Sequence, residues 1–361
     1  MNRAYKFRAY PNEVQRVLIA KTFGCVRFIY NKMLADKITH YNTTKQPLQT
    51  TPAKYKQEFA WLKEVDSLAL CNAQLHLQTA YNNFFRNPKV GFPNYKSKHR
   101  SKRSYSTNAV GKNVVIADNY VKLPKLGMVK VKQHRTVPEN WKLKSATVSQ
   151  DGDGKYFVSV LFEFEQKVTQ AKPKEAVGLD FSISELYVDS NGNTPSFPKP
   201  YRTSQAKLAK QQRILSRCVR GSSNYRKQKV KVATMHKKIA NQRKDFLHKQ
   251  SRQITNVYDC VGIENLDMKA ISQGLNLGKS VGDNGWGMFT AMLGYKLAEQ
   301  GKQLVKIDKW FPSSKMCSAC GKVKKELCLT ERVYACDCGH VMDRDVNAAI
   351  NIRSEALRMI A

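Results

Sequence analysis

Cys317-Ser-Ala-Cys320, fifteen further residues, and then Cys336-Asp-Cys338-Gly-His-Val-Met-Asp343-Arg344-Asp345-Val-Asn347-Ala-Ala form the stretch on which the architecture turns. Two close cysteine pairs can surround one tetrahedral ion, and an acidic helix start lies immediately behind them. Bare thiolates at this spacing repel one another and oxidise, whereas a zinc ion neutralises them and ties a short loop that has little core of its own. The spacing therefore predicts one structural Zn²⁺ on Cys317, Cys320, Cys336 and Cys338, although the second pair is C-x-C rather than C-x-x-C. Cys328 is expected outside this shell as a small apolar residue. Asp345 then opens a helix through Val346 to Ile352, where its carboxylate can cap the first turn and also face a sheet.

The 361 residues allow two or three domains. Lys and Arg number 62 against 28 Asp and Glu, a formal charge of +34. Such an imbalance works against the compact state by self-repulsion, and a polyanion relieves it while releasing its own condensed counterions. Nucleic acid is thus the expected partner. A membrane is not, because the chain lacks a run of eighteen apolar residues and its basic segments carry many polar neighbours. The start, Met1-Asn-Arg-Ala-Tyr-Lys-Phe-Arg-Ala-Tyr10, alternates polar and apolar residues and reads as a strand rather than a signal peptide. Cys25, Cys71, Cys218 and Cys260 stand singly in ordinary apolar settings, which argues against a disulfide scaffold and for a reducing cytoplasm.

After the first strand, Pro11 stands where a helix can begin, and Val14, Leu18, Phe23, Val26, Ile29 and Leu34 supply an approximate helical stripe. Helices are expected to about residue 88. In the last of them Leu68, Ala69, Leu75, Ala80 and Phe84 face a core, and Asn72, Gln74 and Gln78 form a polar face. A basic, irregular connector follows, with Lys96, Lys98, Arg100, Lys102 and Arg103. From Ser104 to Gln166 short alternating runs predict a small antiparallel sheet or barrel, with Asp151-Gly-Asp-Gly154 as a tight hairpin rather than a calcium loop. Residues 201–258 contain sixteen Lys or Arg against the single acid Asp245. Within them Val232, Met235, Ile239 and Phe246 form a packing seam and Gly221-Ser-Ser-Asn224 divides two helices. The surrounding Lys227, Lys229, Lys231, Lys237, Lys238, Arg243 and Lys244 read as phosphate contacts.

Against this basic background three carboxylates occupy ordered places. Val177-Gly-Leu-Asp180 ends an apolar strand in an acid, and Leu186-Tyr-Val188 with its Asn191-Gly192 turn supplies a neighbouring antiparallel strand. Cys260-Val-Gly-Ile263-Glu264 repeats the pattern, and Asp345 follows on the helix. Each acid alone is an ordinary strand-end or cap residue. Together, the order Asp, Glu, Asp on strand, strand and helix is an RNase H-like arrangement, in which such carboxylates hold two Mg²⁺ ions roughly 4 Å apart for phosphodiester hydrolysis. Carboxylate oxygens suit Mg²⁺ because it is a hard cation; His or Cys would select other metals. Asp343 competes for the third role, and Asp345 is favoured because it adjoins Val-Asn-Ala-Ala.

These stretches, with Pro312-Ser-Ser-Lys-Met-Cys317, Ala80-Tyr-Asn-Asn-Phe-Phe85 and Gly91-Phe-Pro-Asn-Tyr-Lys-Ser-Lys98, resemble the motifs of the TnpB family, insertion-sequence-encoded relatives of compact type V CRISPR effectors. The resemblance implies an α/β multidomain chain with an RNase H-like (RuvC) nuclease core at 171–310 and 344–361. It also implies a zinc-binding insertion for target nucleic acid at 311–343, helical recognition at 11–100, and a guide-RNA-binding barrel at 1–10 and 101–170. The implied function is an RNA-guided DNA endonuclease with one RuvC site, Asp180, Glu264 and Asp345, and with guide RNA and target DNA as partners. Its implied place is the cytoplasm, at the nucleoid when bound to DNA. Asn72, Gln74 and Gln78 are expected to read adenine edges in a motif flanking the target. Three alternatives differ in testable ways. A DDE transposase orders its acids Asp, Asp, Glu; a nuclease-inactive RNA-guided regulator lacks one or more of them; a plain zinc-containing RNA-binding protein leaves all three without a purpose.

Overall fold

A computed structural model describes residues 1–166, 168–169, 172–274, 277–328 and 331–361. The chain divides into two compact units, Met1–Gln166 and Lys167–Ala361.

The first unit begins with β1 (Asn2–Tyr10), whose alternation buries Phe7 and Ala9 on one side. Helix α1 (Glu13–Thr44) follows, closed at its start by a capping box in which Asn12 and Gln15 satisfy each other's backbone amides. Pro11 therefore lies just outside the helix, and Val14, expected in the apolar stripe, is 78% exposed. Two shorter helices complete the helical part, α2 (Pro52–Glu58) and α3 (Ser67–Arg86), the latter capped by Asp66. Ile29, Met33, Leu34, Leu62, Leu70 and Leu77 form its core.

Strands β2 (Arg103–Asn108), β3 (Val115–Ala117), β4 (Tyr120–Leu123), β5 (Gly127–Lys132), β6 (Lys142–Gln150) and β7 (Tyr156–Glu163) join β1 in one antiparallel sheet of order β2-β6-β7-β1-β5-β4-β3. Asp151–Lys155 makes the β6–β7 hairpin, with Gly154 at φ +80° as the turn requires. Among the described residues β2 and β3 are not paired with each other, so the hydrogen bonding gives an open sheet where a barrel was the alternative. Phe7, Val129, Val148, Val158 and Phe162 pack with Ile19 and Phe23 of α1 beneath it.

The second unit is built on four strands, β8 (Ala176–Ser182), β9 (Leu186–Asp189), β10 (Cys260–Glu264) and β11 (Gln303–Ile307), in the order β11-β10-β8-β9. β10 runs parallel to both β8 and β11, while β9 is antiparallel to β8. Between β9 and β10 lies the basic pair α4 (Pro200–Arg217) and α5 (Ser223–Val257), seamed by Leu208, Val232 and Ile239. Next come α6 (Met268–Gly274), α7 (Gly278–Asn284) and α8 (Trp286–Ala298). The small hairpin β12 (Val333–Ala335) and β13 (Val341–Asp343) leads into α9 (Arg344–Arg358).

Strand periodicity separates the two faces of this sheet. Val177, Leu179, Val261 and Ile263 point to α5 and α8, where Leu247, Phe289, Leu293 and Leu297 complete a core. The alternate positions point to α9, with Cys260 packing against Ile352 and Ala356.

Candidate active site and metal centre

The register between β8 and β10 sets Gly178 directly beside Gly262. A Cβ on Gly178 would lie 1.9 Å from the Ala349 carbonyl oxygen, and one on Gly262 would lie 2.8 Å from the Ala356 Cβ and 2.9 Å from the Ile352 oxygen. The two glycines therefore let the backbone of α9 rest on the sheet itself. Two residues further along each strand, about 6.6 Å away and on the same face, come Asp180 and Glu264. One helical turn back from Ala349, about 6 Å, comes Asp345. The geometry thus turns two glycines and a helix start into a converging set of three acids.

Burial, then the charge of Glu264, then that of Asp345 hold the Asp180 carboxyl well above the ordinary carboxylate range; Arg344 acts in the opposite sense. Ser313, itself buried, donates to Glu264 Oε1 at 2.5 Å. Asp345 has Arg344 Nη2 at 3.3 Å from one oxygen and Arg332 Nη1 at 3.6 Å from the other. Such a cluster, negative at its centre and clamped from outside, has the chemistry of a hard-cation site.

The structure corrects one role. Asp343, not Asp345, caps α9: its Oδ1 accepts from the Asp345 and Val346 amides at 2.9 and 3.0 Å. Asp345 sits in the first turn, and that leaves its carboxylate for the cluster.

The four cysteines converge as their spacing predicts. Cys317 Sγ lies 3.8 Å from Cys338 Sγ and Cys320 Sγ 3.7 Å from Cys336 Sγ, and the four sulfurs all fall within 4.8 Å of one another. Each pair is followed by a glycine in the left-handed region, Gly321 at φ +76° and Gly339 at φ +88°, where the turn sends an amide back to the first cysteine's carbonyl. Against its burial, the amides of Cys320 and Ala319 bring the Cys317 thiol down to about 6. Cys328 is exposed and outside the group.

Residues not foreseen in these roles tie the two centres together. Asn347 and Asn351, one turn apart on α9 and both buried, donate to the Met316 carbonyl at 2.7 Å each; Asn351 also reaches the Ser313 carbonyl, and Asn347 accepts from the Ser318 amide. Two asparagines in a helix interior, four residues apart, are the signal that reveals them, since Asn is a weak helix former that needs a reason there. On the opposite side, buried Asn284 donates to the Ser182 carbonyl at 2.8 Å, and Trp286 packs on Phe181 at 5.3 Å. Both hold the strand end next to Asp180.

The predicted nucleic-acid contacts divide into two groups. Lys98, Arg100, Lys102, Arg103, Lys227, Lys229, Lys231, Lys238 and Lys244 are exposed, and Lys237 is partly so. Lys96 instead packs its Nζ 3.8 Å over the Tyr30 ring, and Arg243 lies against buried Asp283, Nη2 to Oδ1 3.5 Å. Of the expected polar face on α3, Asn72 is buried and donates to the Leu68 carbonyl, while Gln74 donates to the Thr50 carbonyl and Gln78 to Asn82. Leu75, expected in the core, is 54% exposed. Positions 72 and 74 project some 200° apart on a helix, so they do not form one face. Cys71, expected in an apolar setting, is exposed.

Three family models match the chain: a helix-turn-helix domain over residues 1–46, a family described as probable transposase over 159–274, and the TNB domain of Cas12f1-like proteins over 286–352. The first of these falls on β1 and the single long helix α1. Two similar proteins carry the name "Putative RNA-guided DNA endonuclease". One, from Streptomyces pristinaespiralis, is 38% identical, with 99% of this chain and 90% of that protein covered. The other, InsQ of Escherichia coli (strain K12), is 30% identical, with 99% and 93% covered. Among solved structures, the Cas12f1 chain of a complex with sgRNA and target DNA superposes with a TM-score of 0.60 over 98% of both chains at 12% identity. Among the described residues no helix is long and apolar enough to cross a membrane.

Proposed function

The chain belongs to the TnpB family of RNA-guided DNA endonucleases, and from that premise we propose that Asp180, Glu264 and Asp345 form its single cutting site. The observation that carries this reading is the Gly178–Gly262 pair, which seats α9 on the sheet and brings the third acid to the other two.

The donor set is all carboxylate, and burial together with the charges of Glu264 and Asp345 raises the proton affinity of Asp180, a cost that a bound divalent cation would offset. Two Mg²⁺ ions bound there would supply an activated water and stabilise the leaving oxygen of the cleaved strand. The chain's own residues do the holding. Ser313 fixes the rotamer of Glu264, Asp343 fixes the helix start that presents Asp345, and Asn284 with Trp286 fixes the strand end that presents Asp180.

The four thiolates fit zinc in particular. A tetrahedral ion with Zn–S bonds of about 2.3 Å places its sulfurs about 3.8 Å apart, and two of the sulfur pairs stand at 3.7 and 3.8 Å. Zinc then rigidifies the segment that carries Ser313 and Met316, so metal at one centre supports geometry at the other.

Guide RNA supplies the target sequence by base pairing, and the exposed lysines and arginines hold backbones irrespective of sequence. Of the three amides assigned to the flanking motif, Gln78 is exposed on α3 and Gln74 half-buried, whereas Asn72 is buried with its amide on the Leu68 carbonyl. Cleavage beside a randomised flank tests that assignment, since an unchanged flank preference in Gln74→Ala and Gln78→Ala removes both. The test of the cutting site is a Mg²⁺ titration of target cleavage. Asp180→Ala and Glu264→Ala are expected to be inactive at every Mg²⁺ concentration while binding target normally, and cleavage by either refutes the assignment.

A further inference from the structure

A second concentration of charge lies within the first unit, and the carboxylate site does not use it. A cavity of about 180 Å³ opens between α1, α3 and β2, and Arg27, His76, Lys96, Lys102 and Arg103 line it. No Asp or Glu lines it among the described residues. Asp66, whose charge reaches Tyr105 on the wall, is engaged in capping α3.

The cavity is held in shape by its surroundings. Asn31 grips the connector at both polar groups of Lys96, donating to its carbonyl at 2.9 Å and accepting from its amide at 2.8 Å. Ser97 and Ser101 fold the basic run back on itself, with Arg100 N to Ser97 Oγ at 2.9 Å and Ser97 N to Ser101 Oγ at 3.0 Å. A sequence that reads as an irregular linker is therefore a built wall that brings Lys96 and Lys102 to the helices carrying Arg27 and His76. Partial burial and the neighbouring Lys96 hold His76 below its ordinary value, and burial does the same to Lys96. Positive charge is thus crowded in a cavity that no Asp or Glu lines among the described residues.

The volume decides the class of ligand. Pockets that take drug-sized molecules run to roughly 300–1,000 Å³, so 180 Å³ suits one tetrahedral anion and not a whole nucleotide. Guanidinium and ammonium groups, with the hydroxyls of Ser101, Ser104 and Ser106 beside them and no lining carboxylate among the described residues, are the recognition chemistry of phosphate. We propose that this cavity seats one phosphate group of a nucleic-acid backbone, so that it fixes the register of the bound strand at a single point. Lysines that line no cavity contact phosphates without registering them. This assignment rests on the nucleic-acid-binding reading of the chain, but the cavity's affinity for phosphate is measurable without guide, target or cleavage.

The experiment uses the full chain freed of nucleic acid and titrates inorganic phosphate by ³¹P NMR against sodium chloride of equal ionic strength. It compares wild type with the double variant Arg27→Gln, Lys102→Gln and with the control Lys54→Gln, Lys63→Gln, two exposed lysines of the same unit that do not line the cavity. Saturable phosphate binding that weakens about tenfold or more in the cavity variant and not in the control is expected, since each charge-assisted bond removed accounts for about that factor. A second arm measures binding of a roughly 20-base-pair RNA–DNA duplex, which inorganic phosphate should displace from wild type beyond its ionic-strength effect and not from the cavity variant. Phosphate binding no stronger than chloride, or equal in wild type and cavity variant, overturns the site. Phosphate binding at the cavity with unchanged duplex affinity and no competition overturns the backbone assignment and leaves a free-anion site.

Discussion

Asp180 lies under a helix start between two other acids, and burial with the charges of Glu264 and Asp345 makes its ionisation costly. Because the folded state binds this proton more tightly than the unfolded chain does, this one group's contribution to the stability of the metal-free fold is fully present below the ordinary carboxylate pKa. That contribution is lost as pH rises towards the raised value. Asp180→Asn is therefore expected to raise the melting midpoint of the metal-free protein at pH 7 while abolishing cleavage, with about 2–4 °C for each kcal/mol recovered. A lowered midpoint in calorimetry contradicts this picture of the cluster. The neighbouring pair separates cap from ligand. Asp343→Ala should lower stability by about 1 kcal/mol and slow cutting, whereas Asp345→Ala should stop it. Wild-type cutting by Asp345→Ala beside an inactive Asp343→Ala would exchange their roles.

At the level of elements, the seating of α9 on the sheet depends on what two glycines lack. Gly178→Ala places a methyl group 1.9 Å from a backbone oxygen that cannot move without shifting the helix, so a destabilisation of several kcal/mol is expected, beyond the usual range of about 1–3 for overpacking. Gly24→Ala, with nothing within 4 Å, is the matched control. Equal denaturation midpoints for the two variants would rule out the close approach. The metal loop makes a parallel test: elemental analysis should find one zinc per chain in wild type and Cys328→Ser, and a loss in Cys338→Ser. Much of this level was legible beforehand. The apolar runs before Asp180 and Glu264 reveal two strands, although β8 runs on past Asp180 to Ser182, and the cysteine spacing reveals the loop, because both patterns are local. The cap at Asp343 and the anchoring by Asn347, Asn351 and Ser313 were not legible in the same way. Those depend on which of two nearby acids turns towards the helix amides, and on hydrogen bonds between segments separated by up to 49 residues.

Across the full chain, the +34 charge points to nucleic acid but not to which cations meet it. Arg243 looks like its neighbours in sequence, yet Asp283 occupies it. Likewise, the hydrogen-bonding order that leaves the large sheet open depends on strand partners far apart in the chain. Neutralising Lys227, Lys231 and Lys238 should weaken binding of all sequences alike and flatten its dependence on salt, by up to about 0.9 in the log–log slope for each phosphate no longer neutralised. Sequence-selective weakening would mean that these residues read bases. The proposed division of labour, with one carboxylate cluster that cuts and a remainder of the chain that holds guide and target, is open to a single comparison. The RNA that copurifies with wild type and with Asp345→Ala is sequenced, and binding and cleavage of DNA matching that RNA are then measured for both. The same RNA, indistinguishable DNA affinity and cutting by wild type alone are expected; cutting by the variant, or loss of DNA binding together with cutting, would refute the division.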